Sequence, residues 1–386
     1  MDKLYLLWLV MALGAGDPLI AELISRFGSG EAVYRAFREN TALAGREAAE
    51  HAAAITLDEA GERLAALEAR GIKLVPIGSA FYPEPLTRLE NPPCLLFVRG
   101  NEQVLGGKLL STAGSRDITP YTMEVEDRLC ARLCRRYTLV GSLSYGCDAL
   151  SCLCALKAHR PFVEILPCGF DHEYPEGSRV LRDQLLRLGG CIVTELLPET
   201  KPTQGAFRRR ARIVGGISRA LLIFQAGTQS GALSAAEYAG RVFFLPPHNI
   251  FAKEYAGTAA FVRAGASLLF DERDLADAYI GEYRPKPIAV PRRSAPSEKR
   301  ASGEAAFSPD AAKAPPERAL PARETFDSEL HYLVYQKIAE SAEPIPFDLI
   351  FWEVSCEIAN LNEILLDLEL SDLIRPLRGG RFEVCG

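Results

Sequence analysis

The stretch Lys108-Leu109-Leu110-Ser111-Thr112-Ala113-Gly114-Ser115-Arg116 decides how this chain is read. It passes from a nearly continuous apolar run into small residues and an arginine, shortly before a helical pattern over Pro120–Arg135. A short apolar run bounded by glycine predicts a strand buried on both faces. The small residues after it let backbone approach an anion closely, and amides at a helix N-terminus bind phosphate. Arg116 adds a side chain able to clamp the same group through two parallel hydrogen bonds.

Working outward, the same unit recurs. Strands are predicted at Tyr137–Val140, Phe162–Leu166, Cys191–Thr194, Ala220–Phe224 and Val242–Leu245. Helices are predicted between them at Asp148–His159, Ser178–Leu188, Phe207–Ile217 and Gly231–Gly240. Strands alternating with helices indicate a parallel sheet covered on both sides, with ligands beyond the carboxyl ends of its strands. Two further small-residue loops occupy such ends: Gly141-Ser142-Leu143-Ser144-Tyr145-Gly146, and Ala226-Gly227-Thr228-Gln229-Ser230-Gly231-Ala232.

The helix predicted at Phe207–Ile217 carries Arg208, Arg209, Arg210 and Arg212. Its apolar face is Phe207, Ala211, Val214 and Ile217. The spacing makes Arg208 and Arg212, and also Arg209 and Arg212, surface neighbours, each like-charged pair costing roughly 0.2–0.5 kcal/mol. Arginines early in a helix also oppose its dipole. An anionic partner would offset both costs, and the three strand-end loops supply a groove to hold one.

Composition bounds the rest. The 386 residues exceed a single core, and 48% hydrophobic with 24% charged residues is ordinary for a soluble globular protein. Net charge is −6, unevenly spread. Residues 284–321 hold eight Lys/Arg and four Asp/Glu, a balance of +4, while residues 322–386 hold five and thirteen, a balance of −8. A nucleic-acid partner must therefore use local patches. The ten cysteines show no zinc-site spacing and read as buried thiols in a reducing cytoplasm. Leu4–Leu13 is an apolar run of ten, read as a buried helix since the residues before it lack an excess of basic charge, and no stretch is long enough to span a membrane.

Four segments are expected: a small helical domain of helix-hairpin-helix type over 1–72, whose first two helices meet at Gly14-Ala15-Gly16; a Rossmann-like domain over 73–283; a Pro/Ala/Ser-rich linker over 284–324; and a winged-helix-like domain over 325–386, ending with Gly379-Gly380 and Arg381–Val384. There is no phosphate-loop lysine motif, no paired-histidine metal motif and no nucleophile elbow. Glu195 and Asp171 sit where a carboxylate could face the groove, and bonding to loop amides is an equal reading for each.

The ordered motifs resemble those of the DNA-processing protein A (DprA, also called Smf) family. Tyr82-Pro83-Glu84-Pro85-Leu86 through Asn91–Phe97 to Gly100-Asn101 is similar to its entry segment, and Gly114-Ser115-Arg116 follows. Gly141–Asp148 is similar to S-G-L-A-x-G-I-D, and Cys168-Gly169-Phe170-Asp171 with Tyr174-Pro175 to G-x-x-x-x-Y-P. Phe207–Ser218 is similar to F-P-x-R-N-R-I-I-A-G-L-S, and Ser230-Gly231 with Ala235 to S-G-x-x-x-T-A. The chain departs at Gly141-Ser142, Cys147, Cys152, Arg208, Ala211 and Ser178, and also at Thr122 and Gln225, where the family has glycine and glutamate.

The resemblance implies an α/β fold: an extended Rossmann-like, doubly wound sheet with small helical and winged-helix-like flanks. It implies a cytoplasmic protein that binds and protects single-stranded DNA, loads a RecA-type recombinase, forms a homodimer through the Rossmann-like domain, and has no enzymatic activity, cofactor or metal. Carried over by motif, the DNA contacts are Gly114, Ser115, Arg116, Ser142, Arg209, Arg210, Arg212, Ser230 and Gly231. Two other classes remain open: a nucleotide-binding enzyme that hydrolyses the glycosidic bond of nucleoside monophosphates, and a scaffold whose DNA binding has decayed.

Overall fold

A computed structural model describes residues 2–39 and 51–280, Pro285, Lys286 and Ile288, and a discontinuous set within 323–385. The linker expected over 284–324 lies almost wholly outside the described residues, as does most of the second and third helices expected in the tail.

The centre is a nine-stranded, mostly parallel sheet between helices. Its strands are β1 (Ile72–Pro76), β2 (Leu95–Gly100), β3 (Leu109–Ala113), β4 (Thr138–Gly141), β5 (Phe162–Ile165), β6 (Cys191–Thr194), β7 (Leu221–Ile223), β8 (Val242–Phe244) and β9 (Ser267–Leu268). Their order is β1-β2-β6-β5-β4-β3-β7-β8-β9. From β3 the chain builds outward through β4, β5 and β6, then returns to place β7 on the other side of β3. That reversal is the topological switch point, where a doubly wound sheet opens a crevice beyond its strand ends.

All residues of β3, β5, β6, β7 and β8 are buried, so these strands read as mostly apolar runs, with Ser111, Thr112, Glu164 and Thr194 the buried polar residues among them. Patterning does not predict β1, β2 or the short β9, which pairs parallel with β8. β1 and β2 extend the sheet antiparallel, with β2 lying against β6.

Among the described residues, the helices ahead of the sheet include Asp2–Leu13, Pro18–Phe27, Gly30–Glu39 and Leu57–Ala69. The apolar run near the start is a helix with Leu6, Leu7, Trp8, Leu9 and Val10 buried in one cluster with Leu74 and Phe97 of the sheet edge. The Trp8 indole donates to the Ile55 carbonyl at 2.9 Å, satisfying its one polar group inside that core. Asp17 caps the second helix by accepting from the Leu19 amide at 2.8 Å.

Eight cysteines, Cys94, Cys130, Cys134, Cys147, Cys152, Cys154, Cys168 and Cys191, are buried. Burial pushes Cys130 up to about 11 and Cys134 up to about 12, so both pack as small apolar groups. Near the end of the chain, the helix Glu329–Glu340 accompanies a three-stranded antiparallel sheet of β10 (Ile345–Pro346), β11 (Ile374–Leu377) and β12 (Arg381–Val384) with β12 central.

Candidate nucleic-acid interface

At the switch point the strand ends are tied into one surface. After β3, the Ser115 amide donates to the Gln225 carbonyl beyond β7 at 2.9 Å, and the Cys147 amide donates to the Ser115 carbonyl at 3.1 Å. Two glycines make this approach possible. A Cβ on Gly114 would lie 2.3 Å from the Cys147 sulfur, and one on Gly146 would lie 2.3 Å from the Ser115 carbonyl oxygen. Gly146 also has φ of 82°, a conformation costly for a residue with a side chain.

Gln225 fixes the outer part of the loop. Its amide nitrogen donates to the Asp117 carbonyl at 2.6 Å. Its oxygen accepts from the Thr119 amide at 3.0 Å and from the Thr122 hydroxyl at 2.8 Å. Thus the two positions where the chain has Thr122 and Gln225 are joined directly. A neutral amide here also keeps one negative charge away from an anion site.

The result is a cleft of about 360 Å3 lined by residues from all three loops and from the arginine helix. It brings together Gly114, Ser115, Arg116, Ser142, Arg210, Ser230 and Gly231, seven of the nine residues assigned from sequence. The helix itself runs Gln204–Gly216, capped by the Thr203 hydroxyl, which accepts from the Ala206 amide at 3.2 Å. Arg210 reaches the cleft with its guanidinium over the Phe207 ring, 5.2 Å from the centroid, and its Nη1 donates to the Ser144 hydroxyl at 3.3 Å.

The structure does not bring the other two arginines there. Arg209 is exposed and donates through Nη1 to the Ala15 carbonyl at 2.6 Å, so it ties the helix to the turn between the first two helices. Arg212 is 8% exposed and forms an ion pair with Glu195. The expected surface neighbours of Arg212 therefore do not form: Arg208 and Arg209 face solvent while Arg212 turns inward. Packing against Glu195 overrides the simple helical-wheel reading. Neither expected carboxylate lines the groove, since Glu195 holds Arg212 and Asp171 pairs with Arg70.

Ser144, Tyr145 and Asp148 line the cleft without having been assigned from sequence. The Ser142 hydroxyl donates to the Asp148 carboxylate and accepts from the Ser144 amide at 3.2 Å. Burial raises Asp148 from 3.8 to about 6, opposed by Arg210, Ser142, Arg116 and the Gly114 amide. The sequence signal was its position, one residue after a glycine loop enters a helix. Among the described residues, no group of three or more His, Cys, Asp or Glu side chains is placed to hold a metal ion, and no helix is long and apolar enough to cross a membrane.

Residues 73–279 match the family model described as DNA recombination-mediator protein A. The chain belongs to that family. A mediator-family relative, the DNA processing protein DprA of Bacillus subtilis, is 31% identical over 217 residues, which cover 55% of this chain and 73% of that one. Protein Smf of Escherichia coli is 30% identical over 213 residues, covering 54% of this chain and 57% of its own length. The X-ray structure of DNA processing protein A from Streptococcus pneumoniae superposes with a TM-score of 0.60 at 20% identity, covering 72% of this chain and 98% of that one. It shows that the mediator family's fold is shared. The family match spans β1 to the end of the Rossmann-like sheet and so includes every residue lining the cleft.

Proposed function

We propose that this recombination mediator binds single-stranded DNA in the cleft at the switch point, with Arg116 and Arg210 neutralising phosphates and the small residues Gly114–Ser115 and Ser230–Gly231 letting the strand approach the loops closely. The observation that carries the reading is the convergence of two arginines on three small-residue strand-end loops, in a chain of this family. Backbone charge then dominates affinity, and sequence preference is weak. Ser142 acts through Asp148, while Arg209 and Arg212 hold the arginine helix in place. No residue is assigned a catalytic role.

Loading of a RecA-type recombinase and assembly as a homodimer through the Rossmann-like domain belong to the same proposal, as does a cytoplasmic location. The proposed domain limits are 1–72 helical, 73–283 Rossmann-like, 284–324 linker and 325–386 winged-helix-like; support for the last is a helix with a three-stranded antiparallel sheet. Titration of labelled single- and double-stranded oligonucleotides at several salt concentrations tests the central reading. Tighter binding of the single strand is expected; binding of neither strand overturns it. Release of free base from nucleoside monophosphates would favour the enzyme class instead.

A further inference from the structure

Tyr145 is the one aromatic side chain among the described residues lining the cleft. Its place is fixed from both sides. Ser144 before it receives the Arg210 hydrogen bond, and Gly146 after it is pressed against the Ser115 and Arg116 backbone. The half-buried ring thus lines the cleft together with Arg116 and Arg210. One face of it is covered: the exposed Arg381 places its guanidinium 5.8 Å from the ring centroid.

Arg381 is the first residue of β12, paired with Leu377 on one side and Pro346 on the other. It belongs to the C-terminal unit, whose Val334, Tyr335 and Ile338 are continuous with the apolar cluster under the helices Pro120–Leu133 and Cys147–Lys157. A planar cation on a tyrosine face occupies the position a nucleobase takes when it stacks there. Single-strand sites combine cations along the backbone with aromatic faces for the bases, and the cleft holds both. The unit that supplies the cover carries a net −8 over residues 322–386, so a strand arriving beside it is repelled by everything but Arg381 and its few basic neighbours.

We propose that Tyr145 is a base-stacking platform for the strand held in this cleft, and that Arg381 covers the platform until a base displaces it. The proposal rests on the reading of the cleft as a single-stranded-DNA site. The phosphates lie at Arg116 and Arg210, and the first splayed base lies on the Tyr145 ring. The guanidinium and the base compete for one face, so the C-terminal hairpin must shift for full engagement.

The experiment uses the full chain with a labelled oligothymidylate and an abasic strand of equal length, which keeps the phosphates and lacks every base. Tyr145→Ala and Tyr145→Leu should each weaken oligothymidylate binding roughly 5- to 100-fold and leave abasic binding unchanged. Tyr145→Phe should keep both affinities. Arg381→Ala should tighten oligothymidylate binding about 2- to 5-fold, and this gain should vanish when combined with Tyr145→Ala. Equal effects on both strands, no effect of Tyr145→Ala or Tyr145→Leu, or weaker binding in Arg381→Ala overturns the proposal. Where Arg116→Ala and Arg210→Ala reduce binding but the Tyr145 variants do not, the phosphate site stands and the platform falls. Absence of binding by the unaltered protein overturns both.

Discussion

Arg212 and Glu195 form an ion pair sealed under the arginine helix, their side chains 9% and 3% exposed. The turn between the first two helices closes over it, since a Cβ on Gly16 would lie 3.0 Å from a Glu195 carboxylate oxygen. One nitrogen of Arg212 and one oxygen of Glu195 remain buried without a hydrogen-bond partner in the described structure. The pair is a joint between the helix, the end of β6 and the N-terminal helices, separate from the cleft.

Arg212→Ala is expected to lower stability by about 3–5 kcal/mol, because it strands the Glu195 charge in the interior. Replacing both partners with apolar residues of similar volume, Arg212→Met with Glu195→Leu, should recover most of the loss. Urea unfolding of the two variants checks this. A double variant as unstable as the single one would contradict the pairing.

Strand binding should strengthen as pH falls toward about 6 from above and level off below it, by up to roughly tenfold per pH unit for one proton taken up. The sign follows from Asp148, which burial raises from 3.8 to about 6. Its folded value lies above its unfolded one, so the native state favours the protonated form. A phosphate entering beside it disfavours the ionised carboxylate further. Binding therefore takes up a proton in the range above about pH 6. Asp148→Asn should tighten binding at pH 8 and flatten the profile; an unchanged profile would show that Asp148 does not face the strand.

Gly146→Ala forces a side chain into a left-handed position and against the Ser115 carbonyl. The conformational strain alone is worth of order 1–3 kcal/mol. Loss of stability should come with loss of strand binding, since the same contact holds Arg116. Thermal unfolding alongside DNA titration measures both, and a variant that keeps both would refute the role given to this loop.

Removing residues 322–386 should leave strand affinity equal or tighter. The segment is acidic, and its Arg381 covers Tyr145. A large loss of affinity on deletion would mean that the tail grips DNA itself.

Much of the central sheet is legible in the chain because β3, β5, β6, β7 and β8 are buried throughout and mostly apolar. The cleft loops are legible because glycine and serine crowd the strand ends. The antiparallel β1 and β2 escape patterning: β1 lies outside the alternating strand–helix units, and β2 within a proline-rich entry segment. The arginine run misleads for a different reason. Helical spacing says which side chains are neighbours, but Arg212 is turned inward by Glu195, 17 residues away on the end of another strand. Tyr145 becomes visible as a cleft residue only when the loop that holds it is pressed against Ser115.

The most direct test is the salt dependence of single-strand affinity for the unaltered protein, Arg210→Ala, Arg116→Ala and Arg209→Ala. Each phosphate neutralised contributes about −0.7 to the slope of log affinity against log salt. Arg210→Ala and Arg116→Ala should each weaken binding and flatten the slope by roughly 0.7, with Arg209→Ala leaving the slope unchanged. Unchanged affinity and slope in both Arg210→Ala and Arg116→Ala would contradict a phosphate site in this cleft.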